Sequence, residues 1–421
     1  MAAVGTRNSF GVPNLAWYGN KTLELPLPEG WQAEVANFAG YDRPALRPNQ
    51  IKASIAKSVA GRPLKDLARG KHEVVIVFDD QTRVTRASKI VPHVLQELAA
   101  AGIEEKQIRF ICGLGMHGTM YRPDFVKKLG ADVVARFPVY NHNAFANCVY
   151  VGTTNTYRTR VYVNQEYMRC DFKILIGSCV PHVTAGFGGG GKLILPGVTS
   201  FESVDWNHMM QKKDAVAHAE KPIMGMGIVD ENTQRWDIDE CADLAGVDFL
   251  VNSIVNLRGE SVAVYAGAFR PTYAEVLKEA KTNYKTPRVT GKDVVITNAY
   301  AKVNESSIAL ACAYPTVNPK GGDVVLIANA VEGQISHYLV GRWGTSSVAK
   351  QHTPPRIPAH VNRLIVYSEF PHLGDTWFHY GENPKITLLS KWEDVIKALR
   401  QAHTEKTSVA VFPDGTVQYV A

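Results

Sequence analysis

The chain has 421 residues, enough for two or three domains or one large one with insertions. Apolar residues make up 45% and charged residues 20%, which excludes a disordered chain. The net charge of +6 is mild and the basic residues are not clustered, which argues against nucleic acid and suits small anions.

No apolar run approaches the ~20 residues of a membrane helix. The start, MAAVGTRNSFGVPNLAWYGN, has no secretory h-region or cleavage pattern. Six scattered cysteines without a C-x-x-C pair suit free thiols in a reducing cytoplasm.

In chain order, HEVVIVFDD (72–80) reads as a strand, ASKIVPHVLQELAAAG (87–102) as a helix stopped by Gly102, and IRFICG (108–113) as a strand. RPDFVKKLG (122–130) reads as a helix with Pro123 in its first turn, and FKILIG (172–177) as a buried strand. That alternation predicts an α/β fold with a largely parallel sheet. Residues 281–291 are polar with Pro and Gly and read as a linker. Beyond it DVVITN (293–298), GGDVVLIANA (321–330), RLIVYSEF (363–370) and SVAVFPDG (408–415) read as strands, and ESSIALACAY (305–314) and KWEDVIKALRQAH (391–403) as helices. Two α/β domains follow, 1–285 for a cofactor and catalysis and 286–421 for substrate-binding residues, with the active site in the cleft between them. The last segment is free to pack back on the first domain. There is no internal repeat, and oligomeric state leaves no signature. Ligands of open α/β sheets sit beyond the carboxyl ends of strands, so chemistry belongs just after 80, 113, 177 and 298.

Four places carry it. Asp80-Gln81-Thr82-Arg83 ends a strand, and Arg83 suits a two-pronged bond to a carboxylate or phosphate. The run reads equally as a turn whose Asp caps the helix at 87. Gly113-Leu-Gly-Met-His117-Gly118 ends the next strand, where a histidine suits acid–base work or stands in a plain surface loop. The third place runs from His182 through Gly188, Gly189, Gly190, Gly191 and Lys192 to Pro196 and Gly197. Glycine costs about 1 kcal/mol in an element interior, so four in a row imply close approach to that backbone. The spacing satisfies G-x-x-x-x-G-K, but Leu193 stands where a nucleotide-binding loop needs Ser or Thr for Mg²⁺. The fourth is Trp206-Asn207-His208, whose histidine alone reads as packing.

Together these places resemble the nickel-pincer lactate racemase family. Its Asp-x-Thr-Arg is matched at 80–83 and its loop histidine at His117. Its His-x-x-Ala-Gly-Phe-x-Gly-Gly-x-Lys-x-x-x-Pro-Gly is matched from His182 to Gly197, and its Asn-His pair at 207–208. The resemblance implies nickel carried on a pyridinium-3-thioamide-5-thiocarboxylic acid mononucleotide, joined covalently to Lys192 and ligated by His208, and made by separate cofactor-synthesis enzymes. It implies a racemase or epimerase of a 2-hydroxy acid working by reversible hydride transfer. His117 and His182 would be the two bases, Arg83 would orient substrate oxygens, and Asp80, Thr82, the glycines 188–191 and Pro196 would face the cofactor.

The family's lactate-binding segment resembles Gly-Gly-Tyr-Pro-x-Asp-x-Asn-x-Tyr-Gln-x-x-Lys, and here Ser307, Ile308 and Ala311 replace the Tyr, Gln and Lys. Losing those donors argues against lactate and for a larger 2-hydroxy acid such as a sugar acid, a dicarboxylate or an aryl-lactate. Asn298, Tyr300, Lys302 and Asn304 are alternative clamps, or a polar strand end and cap. His337, Arg342, Trp343, Trp377 and His379 are pocket or packing residues. Two other readings stand beside this one: epimerisation of one carbinol centre in a substrate with several, and non-catalytic binding of a phosphorylated ligand by the glycine loop.

Overall fold

A computed structural model describes residues 9–339, 356–372 and 383–421. The fold is α/β with two large sheets. The chain forms two compact units, one of residues 42–283 with 336–351, the other of 1–41, 284–335 and 352–421.

The first unit is built on six strands: β1 Val74–Asp79, β2 Ile108–Gly113, β3 Val139–Asn141, β4 Phe172–Ser178, β5 Phe249–Val255 and β6 Ser261–Gly267. They lie in the order β6-β5-β4-β1-β2-β3, all parallel except β6 against β5. From β1 the chain steps one way to β2 and β3, then crosses to the other side for β4 and β5. The order therefore reverses between β1 and β4, where open α/β sheets bind ligands. β1 is VVIVFD and buried at every position, as expected of a strand covered on both faces. Phe78 packs edge-on against Phe110 and Phe125 and has no exposed surface, so truncating it to Ala would cost about 3–5 kcal/mol. Three helices concern the site: α1 Phe201–Ala217, α2 Thr233–Ala245 and α3 Phe269–Asn283. The Ser200 hydroxyl caps α1 by accepting the Ser203 N–H, and the Asn232 side chain caps α2 through Arg235 N.

The second unit has a six-stranded, all-parallel sheet in the order Ile386–Leu389, Val361–Tyr367, Gly322–Ile327, Val294–Asn298, Ser408–Phe412, Gln32–Val35. The strand Gln32–Val35 and the hairpin Ser9–Asn14/Lys21–Pro26 belong here, although the composition places residues 1–285 in one domain. The reason is apolar cover: Phe10, Val12, Leu25 and Trp31 are buried in one cluster with Ile296, Val325 and Val395. The Trp392 indole N–H also donates to Pro26 O at 2.7 Å. The stretch 305–314 is largely 3₁₀ rather than α-helical. Its Ser306 N–H donates to the Gln334 side chain, which removes a helical hydrogen bond. Among the described residues no helix is long and apolar enough to cross a membrane, and all six cysteines are free thiols.

Candidate active site

The loop after β1 and the loop after β2 meet at a carboxylate. His117 Nδ1 lies 2.6 Å from Asp80 Oδ2, with both side chains largely buried. Asp80 Oδ1 accepts the Thr82 N–H at 2.9 Å and the Thr82 hydroxyl. Arg83 Nη1 donates to Thr82 O at 3.0 Å and to Thr82 Oγ1 at 2.8 Å. Burial raises the Asp80 carboxyl, but the His117 charge and hydrogen bond, Arg83 and Thr82 outweigh it and leave it below the usual carboxylate range. An ionised Asp80 fixes the proton of His117 on Nδ1 and leaves Nε2 as the working lone pair. Asp80 does not cap the following helix, whose cap residue is Arg86 without a side-chain bond.

A buried ion pair holds this loop from behind. Lys128 Nζ sits 2.6 Å from Asp79 Oδ1 and 3.0 Å from Arg83 O, with no exposed side-chain surface. Asp79 Oδ2 also accepts the Thr85 hydroxyl. No sequence signal marks Lys128, which sits as one lysine of two in the amphipathic helix Arg122–Leu129.

His182 has the opposite hydrogen-bond polarity. It pairs in a short hairpin, Pro181–His182 with Gly186–Phe187. Its Nδ1 accepts the N–H of Thr184 at 3.3 Å and of Ala185 at 3.2 Å. The proton of the neutral ring is therefore on Nε2, so this histidine is a donor where His117 is an acceptor.

The glycine run is approached by the protein itself. A Cβ on Gly189 would stand 2.6 Å from Asn252 Oδ1, on Gly190 2.5 Å from the Tyr273 ring, and on Gly191 2.7 Å from Asp239 Oδ1. Gly189 and Gly190 also have φ of +69° and +53°, which glycine adopts without strain. Gly188 N donates to Val180 O at 2.7 Å and Gly190 N to Asn252 Oδ1 at 2.9 Å, so these amides are committed. Arg235 stacks 4.1 Å from the Tyr273 ring centre and reaches Phe187 O and Asp239. Asn252, Tyr273, Asp239 and Arg235 thus clamp the loop. Of these four, the sequence singles out only Asn252, in Asp248-Phe249-Leu250-Val251-Asn252, a weaker likeness to the same racemase family.

That clamp sets Lys192, on the 3₁₀ turn Gly190–Leu193. Gly115 N donates to Gly197 O at 3.0 Å, tying the His117 loop to the turn after Lys192, and the Pro196 ring sits against Gly115. His208 rises from α1. Its Nδ1 donates to Val204 O at 2.8 Å, one turn back, which leaves Nε2 without a proton. Burial first, then the nearby Lys192 charge, lower its pKa to about 4 against the pull of Val204 O. A neutral imidazole with Nε2 available is the form a metal takes. Asn207 next to it is anchored to the buried carboxylate of Asp237 at 2.8 Å.

The second-unit residues fare differently. Asn298 spends its amide protons on Pro13 O and Pro413 O, both at 2.8 Å, and Tyr300 bonds Asn20 through its hydroxyl. Lys302 is 1% exposed, and Asn304 Oδ1 is buried without a hydrogen-bond partner. Arg342, Trp343, Trp377 and His379 lie outside the described residues. His337 belongs by contact to the first unit and stands beside His117, their ring centres 5.2 Å apart.

Histidines in the loops after β2 and β4, one of them held by a carboxylate, are groups that can exchange a proton near neutral pH. Residues 18–219 match the lactate racemase N-terminal domain. The chain is 24% identical over 376 residues to lactate racemase from Thermoanaerobacterium thermosaccharolyticum, spanning 86% of this chain and 82% of that one. It is 23% identical over 304 residues to lactate racemase from Lactiplantibacillus plantarum, spanning 71% and 70%. The fold is shared with the lactate racemase apoprotein from Thermoanaerobacterium thermosaccharolyticum, at a TM-score of 0.73 and 19% identity over 98% of this chain and all of that one. A protein from Thermotoga maritima shares it at 0.66 and 18% over 90% of this chain and all of that one. The first half of the chain thus carries the lactate racemase N-terminal domain, and the likeness to lactate racemases over most of the chain supports an enzyme of the isomerase class.

Proposed function

We propose that this enzyme racemises or epimerises a 2-hydroxy acid other than lactate, with nickel on a pincer nucleotide joined to Lys192. The observation that carries the reading is the half-buried His208, whose bond to Val204 O leaves Nε2 without a proton, in one unit with the Lys192 turn and the Asp80-held His117. The donor set fits the cofactor. Among the described residues no three His, Cys, Asp or Glu side chains gather as a metal site. His208 would be a lone protein ligand, so a nickel ion here needs further donors from an organic group, and sulfur with imidazole nitrogen suits it. When bound, the nickel pincer supplies an acceptor for the α-hydrogen with its electron pair, which no side chain offers.

The chain's own residues do the rest. His117 Nε2 takes the hydroxyl proton, and Asp80 stabilises the imidazolium that results. His182 Nε2–H donates to the substrate oxygen. For the opposite enantiomer His182 must accept at Nε2, so its proton shifts to Nδ1 and the long bonds from Thr184 and Ala185 give way. Arg83, held on one nitrogen by Thr82, orients the oxygens. Loading would depend on cofactor-synthesis enzymes as transient partners.

The test is intact mass and nickel content after co-production with those enzymes, beside Lys192→Ala. An adduct of pincer mass and about one nickel per chain, both lost in the variant, is expected. Chiral chromatography of a 2-hydroxy-acid panel then finds the substrate, and preferred racemisation of lactate would refute the non-lactate assignment. Diastereomeric products would make it an epimerase. The phosphate-binder reading is disfavoured because the Gly188 and Gly190 amides are already bonded.

A further inference from the structure

The segment that carries His337 makes an isolated antiparallel bridge with the His117 loop. Gly118 N donates to Ser336 O at 3.0 Å and Tyr338 N to Met116 O at 2.9 Å. These two bonds flank the His117–His337 pair, so the pair itself is the non-hydrogen-bonded kind, with Cα atoms about 4.5 Å apart and side chains on the same face. The rings meet edge to face, with their planes at 68°.

The two imidazoles differ in polarity. His117 gives its Nδ1 proton to Asp80, which leaves Nε2 as an acceptor. His337 Nδ1 accepts the Leu339 N–H at 3.2 Å, which puts the ring proton on Nε2 and makes that atom a donor. An acceptor and a donor side by side on one face match the two neighbouring oxygen groups of a 2-hydroxy acid. The hydroxyl meets the acceptor and the carboxylate meets the donor.

We propose that His337 is a substrate-anchoring residue, its Nε2–H binding the carboxylate of the acid whose hydroxyl lies at His117. The assignment rests on the proposed 2-hydroxy-acid reading. It also gives the returning segment 336–339 a role that its distance in sequence from residue 117 conceals.

Two variants of the loaded enzyme test it. His337→Phe keeps a ring against His117 and removes the donor, and His337→Gln restores an N–H. A hydrogen bond to a charged group is worth about ten- to hundred-fold in affinity, so KM should rise by that factor in the Phe variant. The kcat should stay within about threefold, and the Gln variant should recover most of the loss. An unchanged KM in the Phe variant, or a loss confined to kcat, overturns the proposal. A second arm needs no turnover: ¹⁵N-histidine-labelled apoprotein titrated with phenyllactate should shift the His337 Nε2 resonance. The matching alcohol without a carboxylate should not. If loaded wild-type protein racemises nothing while the shift persists, the activity is refuted and the anchor stands. If it racemises without the shift, the anchor alone is refuted, and absence of both refutes both.

Discussion

His117 and Asp80 come from different strand ends, 37 residues apart, and meet at 2.6 Å with Thr82 closing the other carboxylate oxygen. A carboxylate at Nδ1 decides which nitrogen of the ring does chemistry. Asp80→Asn keeps the shape but lets the amide donate, which moves the ring proton to Nε2. We expect kcat to fall by roughly 10³–10⁴ with KM little changed, as losing the correct tautomer does in other carboxylate–histidine pairs. Steady-state racemisation by the loaded variant checks this, and a loss under tenfold would remove Asp80 from the mechanism.

The glycine loop gives a paired prediction. Gly190→Ala drives a methyl into the Tyr273 ring and forces a left-handed φ on alanine. The strain and overpacking together should cost roughly 2–4 kcal/mol. Gly188→Ala meets nothing closer than 3.5 Å and should change stability by less than about 1 kcal/mol. Urea denaturation of both variants without cofactor separates packing from ligand approach. If both lose stability equally, the clamp by Asn252 and Tyr273 is not the reason for the run.

A third prediction concerns acid stability. Asp323 is buried in the second unit, 2.8 Å from His403 Nε2 and paired with Arg363. Burial raises its carboxyl, but the bonds from His403 and Arg363 prevail and hold it below the ordinary value. A depressed carboxylate stabilises the fold above the unfolded pKa of about 3.9, and that contribution is lost as pH falls toward the folded one. Asp323→Asn should therefore destabilise by about 3 kcal/mol or more near pH 7. The gap to wild type should begin to narrow as pH falls below about 4, where the unfolded carboxyl takes up its proton, and close only at the lower pH where the folded Asp323 is protonated too. Melting curves from pH 3 to 7 measure it, and a constant gap would assign the loss to packing.

Strands and strand-end loops were legible because parallel sheets write themselves as short apolar runs with polar tips. The runs at 72–80, 108–113 and 172–177 match β1, β2 and β4. Lys128, Arg235 and Tyr273 were hidden because each sits on a helix, and only its tertiary partner, Asp79 or the glycine loop, gives it meaning. The Ser9–Val35 region was assigned to the wrong half because a strand partner hundreds of residues away leaves no local trace. The same distance hid the pairing of His337 with His117.

The last prediction separates the two residues given to the cofactor. Lys192 would hold the nucleotide covalently, while His208 would hold only the metal. His208 is half-buried, and its one described hydrogen bond runs to Val204 O within its own helix, so His208→Ala should lower the melting temperature by only a few degrees. The variant should carry the full adduct mass on Lys192 but bind nickel at least about 100-fold more weakly, beyond the 10–100-fold typical of losing an outer partner of a ligand. Lys192→Ala should lose both. Mass spectrometry and metal analysis on the same preparations read the two effects independently. Full nickel in His208→Ala would mean that the imidazole next to Lys192 is not a ligand.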